Sequence, residues 1–519
     1  MGEPANQPRK RPVPLIFLWL LLALFAAKGI ATAVAFPPFS GHDEVAHYAY
    51  LKIFAEEHRV PVIPDIEDWR VQYDEQGSAF EWDKMPEGLY KYAHVGGRIT
   101  SYTTQDWYGG QSNPVWTVEY VQEFYPSGWV YTGNHPPLYY ALMTPLYYAV
   151  DSFEMDQQVI FFRLASIPLG MLTVVFAYLT VRTIFPRDNF LAMTVPAFVA
   201  FQPQISYEST MLNNDILAIA LTSGVVWLLA LGLRKRFPLW ICMLIGVLLG
   251  LAMLAKSTSV VVAILVGIAM AFGIGWRKPK VWLPKGAITA AIAGILVLPW
   301  VLYMMIRYGD PTALSTVSDL QWWNYSSGRT PTIMEMLTNR YFHWDRWKET
   351  WGAFGWRRIQ FDMEGDQVML RVLLWTVLFG VVGLAVYAIR FLKEQRQIIT
   401  LEEQGLSFSE IRDHRDETLA ILPWQVTGIL TMGVACVLGY YSVLQFGTSF
   451  ALTQARYYFP MIVPGALLLM LGFRSWFPRK WLTYVGAVIF LGLVSLNIII
   501  YASYVIPFWP GFMDVAPLP

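Results

Sequence analysis

The sequence is poor in charge and in cysteine. Asp, Glu, Lys and Arg make up 15% of its 519 residues, whereas an ordinary soluble domain carries about 25%. This shortage argues against a soluble enzyme and a disordered chain. The 38 basic and 38 acidic residues give a net charge of zero, which removes the electrostatic case for nucleic-acid binding. Cys242 and Cys436 both lie in apolar runs, so neither a disulfide framework nor a thiolate metal cluster is expected.

What the chain has in abundance is long apolar runs, and 55% of its residues are hydrophobic. A run of about 17 to 25 apolar residues is long enough to cross about 30 Å of hydrocarbon. Such runs predict an all-α polytopic membrane protein of about 11 transmembrane helices, near residues 13–35, 160–182, 190–206, 214–232, 239–254, 258–276, 285–306, 368–392, 419–445, 457–473 and 481–505. A further stretch, His135 to Val150, is shorter and contains three prolines.

Positive charge predicts the orientation of these helices, since Lys and Arg stay on the cytoplasmic side. If His135 to Val150 lies on the membrane surface, the short outer turns hold only Lys256 and Arg456. The predicted order is a cytoplasmic N-terminus (1–12), the first transmembrane helix (13–35), a first outer loop with an acidic motif and an interfacial helix (36–159), a transmembrane core (160–306), an aromatic-rich outer loop (307–367), C-terminal transmembrane helices (368–505) with a cytoplasmic loop (391–418), and an outer tail (506–519).

The first apolar run has a second interpretation. Arg9-Lys10-Arg11, the run itself and the small residues at 31–33 also fit the outline of a cleavable signal peptide. The length of the run and the interruption by Lys28 favour a transmembrane helix.

Polar residues collect at the predicted outer ends of the helices, and Lys28 is the exception at mid-depth. Asp43 and Glu44 follow the first run directly, where a carboxylate can accept a proton from a hydroxyl or hold a cation. The alternative is a helix N-cap that starts an amphipathic helix through Ala55. Capping alone also explains Asp215, in the string Asn213-Asn214-Asp215.

Lys256 and Arg456 are lone cations in tight outer turns. Terminal Lys and Arg are commonly snorkelling anchors. Because the positive-inside rule disfavours cations on this face, however, each needs an anionic partner, and a lipid phosphate is the natural one. Together with the carboxylates they suggest attack by a hydroxyl on an anomeric carbon, with Asp43 as base and Lys256 and Arg456 stabilising the departing phosphate.

At these residues the sequence resembles the glycosyltransferase C superfamily, which includes protein O-mannosyltransferases, aminoarabinose transferases and oligosaccharyltransferase catalytic subunits. The likeness runs from Pro14 to about Gly472. It rests on pieces in the superfamily's order, namely Asp43-Glu44, His135-Pro136-Pro137-Leu138-Tyr139-Tyr140, the segment from Arg163 to Phe185, Asn214-Asp215, the segment from Gly250 to Thr258, and Arg456-Tyr457-Tyr458-Phe459-Pro460. The first outer loop is longer than in the aminoarabinose transferases.

The resemblance implies a glycosyltransferase C-type fold and an enzyme that moves a sugar from a polyprenyl-phosphate donor to an acceptor glycan, lipid or protein, on the outer face of the plasma membrane. It implies catalytic residues Asp43, Glu44 and Asp215, donor phosphate-binding residues Lys256 and Arg456, and substrate-binding residues His47, His135 and Asn214. Asp43, Glu44 and Asp215 have hard oxygen ligands, which suit Mg²⁺ or Mn²⁺. Whether the enzyme uses such a metal stays an open question at this point.

Two other functions stay open at this point. A transporter or flippase of lipid-linked sugar would show mid-depth polar sites, broken helices and repeated halves, and the sequence offers none that we recognise. A non-catalytic subunit of cell-envelope assembly would not need the complete acidic pair.

Overall fold

The computed structural model describes residues 13–63, 130, 132–320, 330–355, 359–360, 367–404, 407–408, 415–449 and 453–508. Helices dominate these ranges, with one short hairpin pairing Ala353–Phe354 and Ile359–Gln360 in antiparallel fashion. Numbered in chain order, the helices are α1 (Val13–Ala35), α2 (Glu44–Glu57), α3 (Leu138–Ala149), α4 (Met155–Ile184), α5 (Asn189–Phe201), α6 (Pro203–Glu208), α7 (Asp215–Lys235), α8 (Leu239–Ala255), α9 (Val261–Ile274), α10 (Pro279–Tyr308), α11 (Leu314–Leu320), α12 (Ile333–Thr338), α13 (Arg340–Trp351), α14 (Val368–Glu403), α15 (Pro423–Ser449), α16 (Ile462–Trp476) and α17 (Leu482–Ile500). Short 3-10 turns at Ser257–Val260 and Ala455–Met461 precede α9 and α16.

The prediction of a polytopic helical membrane protein is confirmed. Among the described residues, nine helical segments are long and apolar enough to cross a membrane: Pro14–Ala35, Met155–Ile184, Asp215–Lys235, Ser257–Ile274, Pro279–Tyr308, Val368–Glu403, Pro423–Thr448, Ala455–Trp476 and Arg479–Phe508. The other two expected spans correspond to the shorter apolar helices α5 and α8. The total of eleven crossings therefore stays a prediction.

The expected span over 190–206 is two helices rather than one. Helix α5 ends at Phe201 because Gln202 is extended and Pro203 starts α6. The carbonyls that this break exposes find donors elsewhere. Lys28 Nζ donates to the Ala200 carbonyl at 2.8 Å, and Asn497 Nδ2 donates to the Phe201 carbonyl at 2.7 Å. The mid-depth lysine thus ties α1 into the bundle at this break.

The stretch from His135 to Val150 forms α3, which has 12 residues. Such a helix is about 18 Å long, too short to cross the hydrocarbon core. Tyr139, Tyr140 and Tyr147 on α3 are buried, and α3 packs against α2. These two helices cover one end of the bundle, in agreement with a segment that does not cross.

Two helices in the C-terminal half of the chain pack with their backbones in close contact. Helices α14 and α16 meet at Gly383 and Gly472, where any side chain would collide with the backbone of the other helix. Small residues that let helix backbones touch are typical of packing in membranes.

The two ends of the bundle carry different polar clusters. At the end where α1 finishes and α7 begins, Asp43, Asp215, Lys256 and Arg456 meet. At the opposite end, Arg474 pairs with Asp188 and Asp416 and donates to Thr418 Oγ1.

Candidate active site

Asp43 occupies the N-cap position of α2 but does not cap it. Its backbone has φ 56°, in the left-handed region, and its side chain makes no capping hydrogen bond. Instead, Oδ2 accepts a hydrogen bond from Arg456 Nη2 at 2.5 Å. The capping interpretation therefore describes the position of Asp43 but not the partner of its carboxylate.

Asp215 is the first residue of α7, and its neighbour Asn213 does the capping. Asn213 Oδ1 accepts from the backbone N–H groups of Asp215 at 3.0 Å and Ile216 at 3.4 Å. This leaves the Asp215 carboxylate for other partners. Its Oδ1 pairs with Lys256 Nζ, and its Oδ2 lies 3.4 Å from Arg456 Nη1.

Lys256 is the C-cap residue of α8, and its backbone is extended. Asn214 Nδ2 donates to the Ala255 carbonyl at 2.8 Å and so fixes the backbone beside the lysine. The ammonium lies 4.8 Å from the Tyr457 ring centroid, a cation–π distance. Burial lowers the pKa of Lys256, and Asp215 opposes that shift. A side chain only 13% exposed and paired with a carboxylate is not a snorkelling anchor.

Arg456 lies in the 3-10 turn before α16, and its backbone is held by α13. Glu349 Oε2 accepts from the Ala455 N–H at 2.9 Å and from Arg346 Nε at 2.6 Å. The Arg456 side chain is 7% exposed and bridges Asp43 and Asp215 with its two terminal nitrogens. A planar guanidinium is suited to hold two carboxylates at once.

The structure therefore brings together four of the predicted residues, which come from four separate parts of the chain. Two carboxylates and two cations form one buried cluster at one end of the bundle, with a formal charge of zero. Chemically, such a cluster can bind an anion through its cations and accept a proton on a carboxylate.

Glu44 lies apart from this cluster. Its carboxylate pairs with Arg163 through two hydrogen bonds of 2.8 and 2.6 Å, and both side chains are fully buried. The same oxygens accept from the N–H groups of Leu212 and Gly41. Arg163 also donates to the carbonyls of residues 33, 36 and 37, so every guanidinium N–H group is used. This pair fixes the turn that carries Asp43, and it places the Glu44 carboxylate outside the cluster of Asp43, Asp215, Lys256 and Arg456.

His47 and His135 lie in a cluster of stacked rings beside the charged groups. His47 Nδ1 is 2.8 Å from the Tyr140 hydroxyl, and the two imidazole rings are 5.5 Å apart. Tyr50 stacks on Tyr140 with 3.5 Å between ring centroids. Burial lowers the pKa of His47 to about 4, although the charges of Asp43 and Asp215 oppose the shift. Burial, and after it the neighbouring His47, also lower the pKa of His135, so both shifts favour the neutral imidazole.

In this structure the three acids are not arranged as ligands of one divalent metal ion. The Glu44 oxygens are occupied by Arg163 and by backbone amides, and both Asp43 and Asp215 contact Arg456. No group of three or more His, Cys, Asp or Glu residues suited to a metal ion occurs in the part of the chain that the structure describes. Two acids that face two cations are a poor match for Mg²⁺ or Mn²⁺, which need several oxygen ligands.

Sequence reasoning did not single out two residues that organise this end of the molecule. Arg163 is one, and Glu208, which contacts His42 Nδ1 at 3.1 Å, is the other. Arg163 has the same sequence signal as Lys256, namely a cation at a predicted outer helix end.

Comparison with known proteins gives a match inside the chain. Residues 134–303 match the family model described as Dolichyl-phosphate-mannose-protein mannosyltransferase. The predicted resemblance is confirmed. The matched segment holds α3 to α9 and most of α10, and it includes Asp215 and Lys256. No curated protein matches the chain.

Solved structures show a distant likeness. The archaeal oligosaccharyltransferase AglB from Archaeoglobus fulgidus, in complex with an inhibitory peptide and a dolichol-phosphate, is 12% identical, with a TM-score of 0.45 over 93% of this chain and 55% of its own. ArnT from Cupriavidus metallidurans, bound to undecaprenyl phosphate, is 12% identical, with a TM-score of 0.41 over 94% of this chain and 73% of its own. The chain thus spans about half the length of the oligosaccharyltransferase. At these TM-scores the likeness carries no argument about activity.

Proposed function

We propose that the protein is a membrane glycosyltransferase that moves a sugar from a polyprenyl-phosphate carrier to an acceptor hydroxyl. One observation carries the proposal: Asp43, Asp215, Lys256 and Arg456 form one buried cluster at the end of a membrane-type helical bundle. The match of residues 134–303 to a mannosyltransferase family supports the same activity. The sugar is a hexose or pentose, and the acceptor is a glycan, lipid or protein.

The two cations are the proposed site of the donor phosphate. Lys256 and Arg456 already contact carboxylates, so a phosphate competes with those carboxylates for the same donors. When the phosphate takes Arg456, the ion pair that holds Asp43 is broken. Asp43 then becomes a stronger base, because it loses the adjacent cation that stabilised its ionised carboxylate. Donor binding would in this way prepare the base.

The reaction is an inverting displacement. The acceptor hydroxyl oxygen forms a bond to the anomeric carbon, while the bond from that carbon to the phosphate oxygen breaks. The hydroxyl proton goes to Asp43, and the bonding electrons go to the polyprenyl phosphate, whose growing negative charge Lys256 and Arg456 stabilise. Asp215 contacts both cations, one through each carboxylate oxygen, and so holds them in place.

The neutral rings define the remainder of the substrate site. His47, His135 and Tyr140 lie beside the charged cluster, and neutral imidazoles can hydrogen-bond sugar hydroxyls without adding charge. Asn214 acts through the backbone of Ala255 and so positions Lys256. Its Oδ1 is buried without a partner and is available to a substrate hydroxyl.

We place the site on the outer face of the plasma membrane. The helix ends and short connections at the opposite end of the bundle carry Arg182, Arg234, Lys235, Lys285 and Arg479, and membrane-flanking segments rich in Lys and Arg face the cytoplasm. The lipid carrier would enter from the bilayer, and the acceptor from the outer aqueous side.

The test is a transfer assay in proteoliposomes with a radiolabelled polyprenyl-phosphate sugar and Asp43→Asn. We expect turnover to fall by about 10²- to 10⁴-fold, the contribution of a general base, with little change in folding. Asp188→Asn is the matched control, since Asp188 is a buried carboxylate paired with Arg474 at the opposite end. Wild-type turnover in Asp43→Asn would remove Asp43 from the mechanism. Movement of the lipid sugar across the bilayer with no glycosylated product would favour a transporter.

A further inference from the structure

Helix α6 is a six-residue helix that is buried along its whole length. It ends at Glu208, whose side chain is fully buried. A buried carboxylate is costly unless its oxygens are hydrogen-bonded. Glu208 Oε1 accepts from Gln204 Nε2 at 3.0 Å and lies 3.1 Å from His42 Nδ1, and Oε2 accepts from Asn213 Nδ2 at 3.1 Å.

The amide orientations around Glu208 are fixed by their other partners. Asn213 Oδ1 accepts from two backbone N–H groups, so its Nδ2 is the group that faces Glu208. Gln204 Oε1 accepts from the Ala353 N–H at 3.0 Å, so its Nε2 is likewise a donor. Both amides therefore donate, and His42 must hold its proton on Nδ1 to join them. Three donors therefore face Glu208, and an ionised carboxylate, which only accepts hydrogen bonds, can satisfy all of them.

Two of these donors are neighbours of the proposed catalytic acids. His42 directly precedes Asp43, and Asn213 both binds Glu208 and caps the helix that begins at Asp215. Glu208 is thus the link between the first and second acid-bearing turns. Arg456 contacts both Asp43 and Asp215. It can do so only if the distance between these two carboxylates is kept.

A third connection runs to the segment after α13. Gln204 donates from Nε2 to the Ala353 carbonyl at 3.1 Å, and Tyr207 accepts from the Gly355 N–H at 3.0 Å. Helix α13 also carries Glu349, which holds the backbone beside Arg456. The elements that carry Asp43, Asp215 and Arg456 therefore all connect to α6 or to the segment bonded to it.

We propose that Glu208 is a positioning residue that sets the separation of Asp43 and Asp215 through His42 and Asn213. The proposal rests on the proposed glycosyl transfer. It assigns Glu208 no contact with substrate. Glu208 affects the geometry of Asp43 and Asp215. The backbones beside Lys256 and Arg456 are held separately, by Asn214 and Glu349.

The first test is Glu208→Gln. A glutamine of the same shape must turn its NH₂ group toward either Asn213 Nδ2 or Gln204 Nε2, so a donor faces a donor and one connection is lost. We expect kcat to fall roughly 10- to 100-fold, the cost of misplacing a catalytic group by a fraction of an ångström to one ångström. KM for the lipid donor should change less than about threefold, because Lys256 and Arg456 are retained.

Variants of His42 keep the proposal testable if Glu208→Gln folds poorly. An asparagine side-chain amide can replace the Nδ1–H donor, whereas leucine cannot. His42→Asn should therefore keep kcat within about threefold, and His42→Leu should reproduce the loss seen in Glu208→Gln. The double variant Glu208→Gln with His42→Leu should lose less than the product of the two single losses, since both variants disrupt the same network of hydrogen bonds on Glu208.

The outcomes separate this proposal from the proposed function. If the wild-type protein transfers no sugar, the proposed function fails before Glu208 is tested. If the wild type transfers sugar and Glu208→Gln keeps its kcat, or raises only KM, Glu208 is not a positioning residue. If Asp188→Asn, which removes a buried carboxylate at the opposite end, lowers kcat as much as Glu208→Gln, the effect is general destabilisation and the proposal is overturned.

Discussion

Arg456 and Asp43 are 413 positions apart in the chain, and Arg456 Nη2 lies 2.5 Å from Asp43 Oδ2. The same guanidinium reaches Asp215 through its other terminal nitrogen. One side chain thus joins the turn before α2, the start of α7 and the 3-10 turn before α16. The contact is also the one that donor phosphate must change if Asp43 is to act as a base.

Arg456→Lys should lose this bridge. A lysine keeps the charge but cannot contact two carboxylates and a phosphate with a planar fork. We expect kcat/KM for the lipid donor to fall about 100-fold, which is close to 3 kcal/mol of transition-state stabilisation. Steady-state kinetics in proteoliposomes measure this value.

Arg474→Lys is the control for that variant. Arg474 also contacts two acids, Asp188 and Asp416, but at the opposite end of the bundle. It should lose stability and keep its kcat/KM. An equal fall in kcat/KM in both variants would contradict the role given to Arg456.

Lys256→Gln should weaken donor binding. A hydrogen bond from a charged donor contributes about 1.5 to 3 kcal/mol, so kcat/KM should fall roughly 10- to 100-fold, with a rise in KM. Isothermal titration with polyprenyl phosphate, which has no sugar to transfer, measures binding alone. Lys285→Gln, a lysine that donates to the Phe237 carbonyl, is the control. Unchanged affinity in Lys256→Gln would place the phosphate elsewhere.

Glu44→Gln should affect folding more than chemistry. Removing one partner of a buried ion pair leaves Arg163 uncompensated and costs about 3 to 5 kcal/mol. We expect a clearly lower thermal midpoint in detergent. Turnover per folded molecule should fall less than about tenfold, against a loss of 10²-fold or more in Asp43→Asn. A variant that folds like the wild type yet transfers no sugar would support the catalytic role that the sequence predicts for Glu44.

His47 should make the protein sensitive to acid. Its pKa is about 4 in the folded protein and about 6.5 in an unfolded chain, so the unfolded state binds the extra proton over the range between those values. Stability is therefore complete above about pH 6.5 and falls as the pH drops toward 4, by up to 1.4 kcal/mol per pH unit. In His47→Gln, thermal midpoints recorded from pH 7 to 4.5 should fall less steeply than in the wild type. Parallel curves would show that His47 does not titrate in this way.

Much of the fold was predictable because hydrocarbon thickness sets the length of an apolar run. The expected span over 190–206 misses the break at Gln202, although Pro203 and the polar residues Gln204 and Ser206 follow it, because the apolar run that ends at Phe201 dominates this stretch. The carbonyls that it exposes are satisfied by Lys28 and Asn497, residues from distant helices. Sequence alone does not reveal which polar groups meet at such a break.

The site was predictable where a polar residue violated a general rule. Lys256 and Arg456 stand out in the sequence as cations on the predicted outer face, and Asp43 and Asp215 as acids at helix ends. The place of Glu44 outside the charged cluster does not follow from the sequence, because residues adjacent in sequence need not share partners in space. The left-handed backbone of Asp43 directs two neighbouring side chains to different partners, Arg456 and Arg163.

The most direct measurement is a structure of the protein with a polyprenyl phosphate bound. The account predicts the phosphate within hydrogen-bond distance of Lys256 Nζ and the Arg456 guanidinium, with Asp43 Oδ2 no longer in contact with Arg456. A phosphate that binds at another end of the bundle, while Asp43, Asp215, Lys256 and Arg456 keep their present pairs, would contradict it.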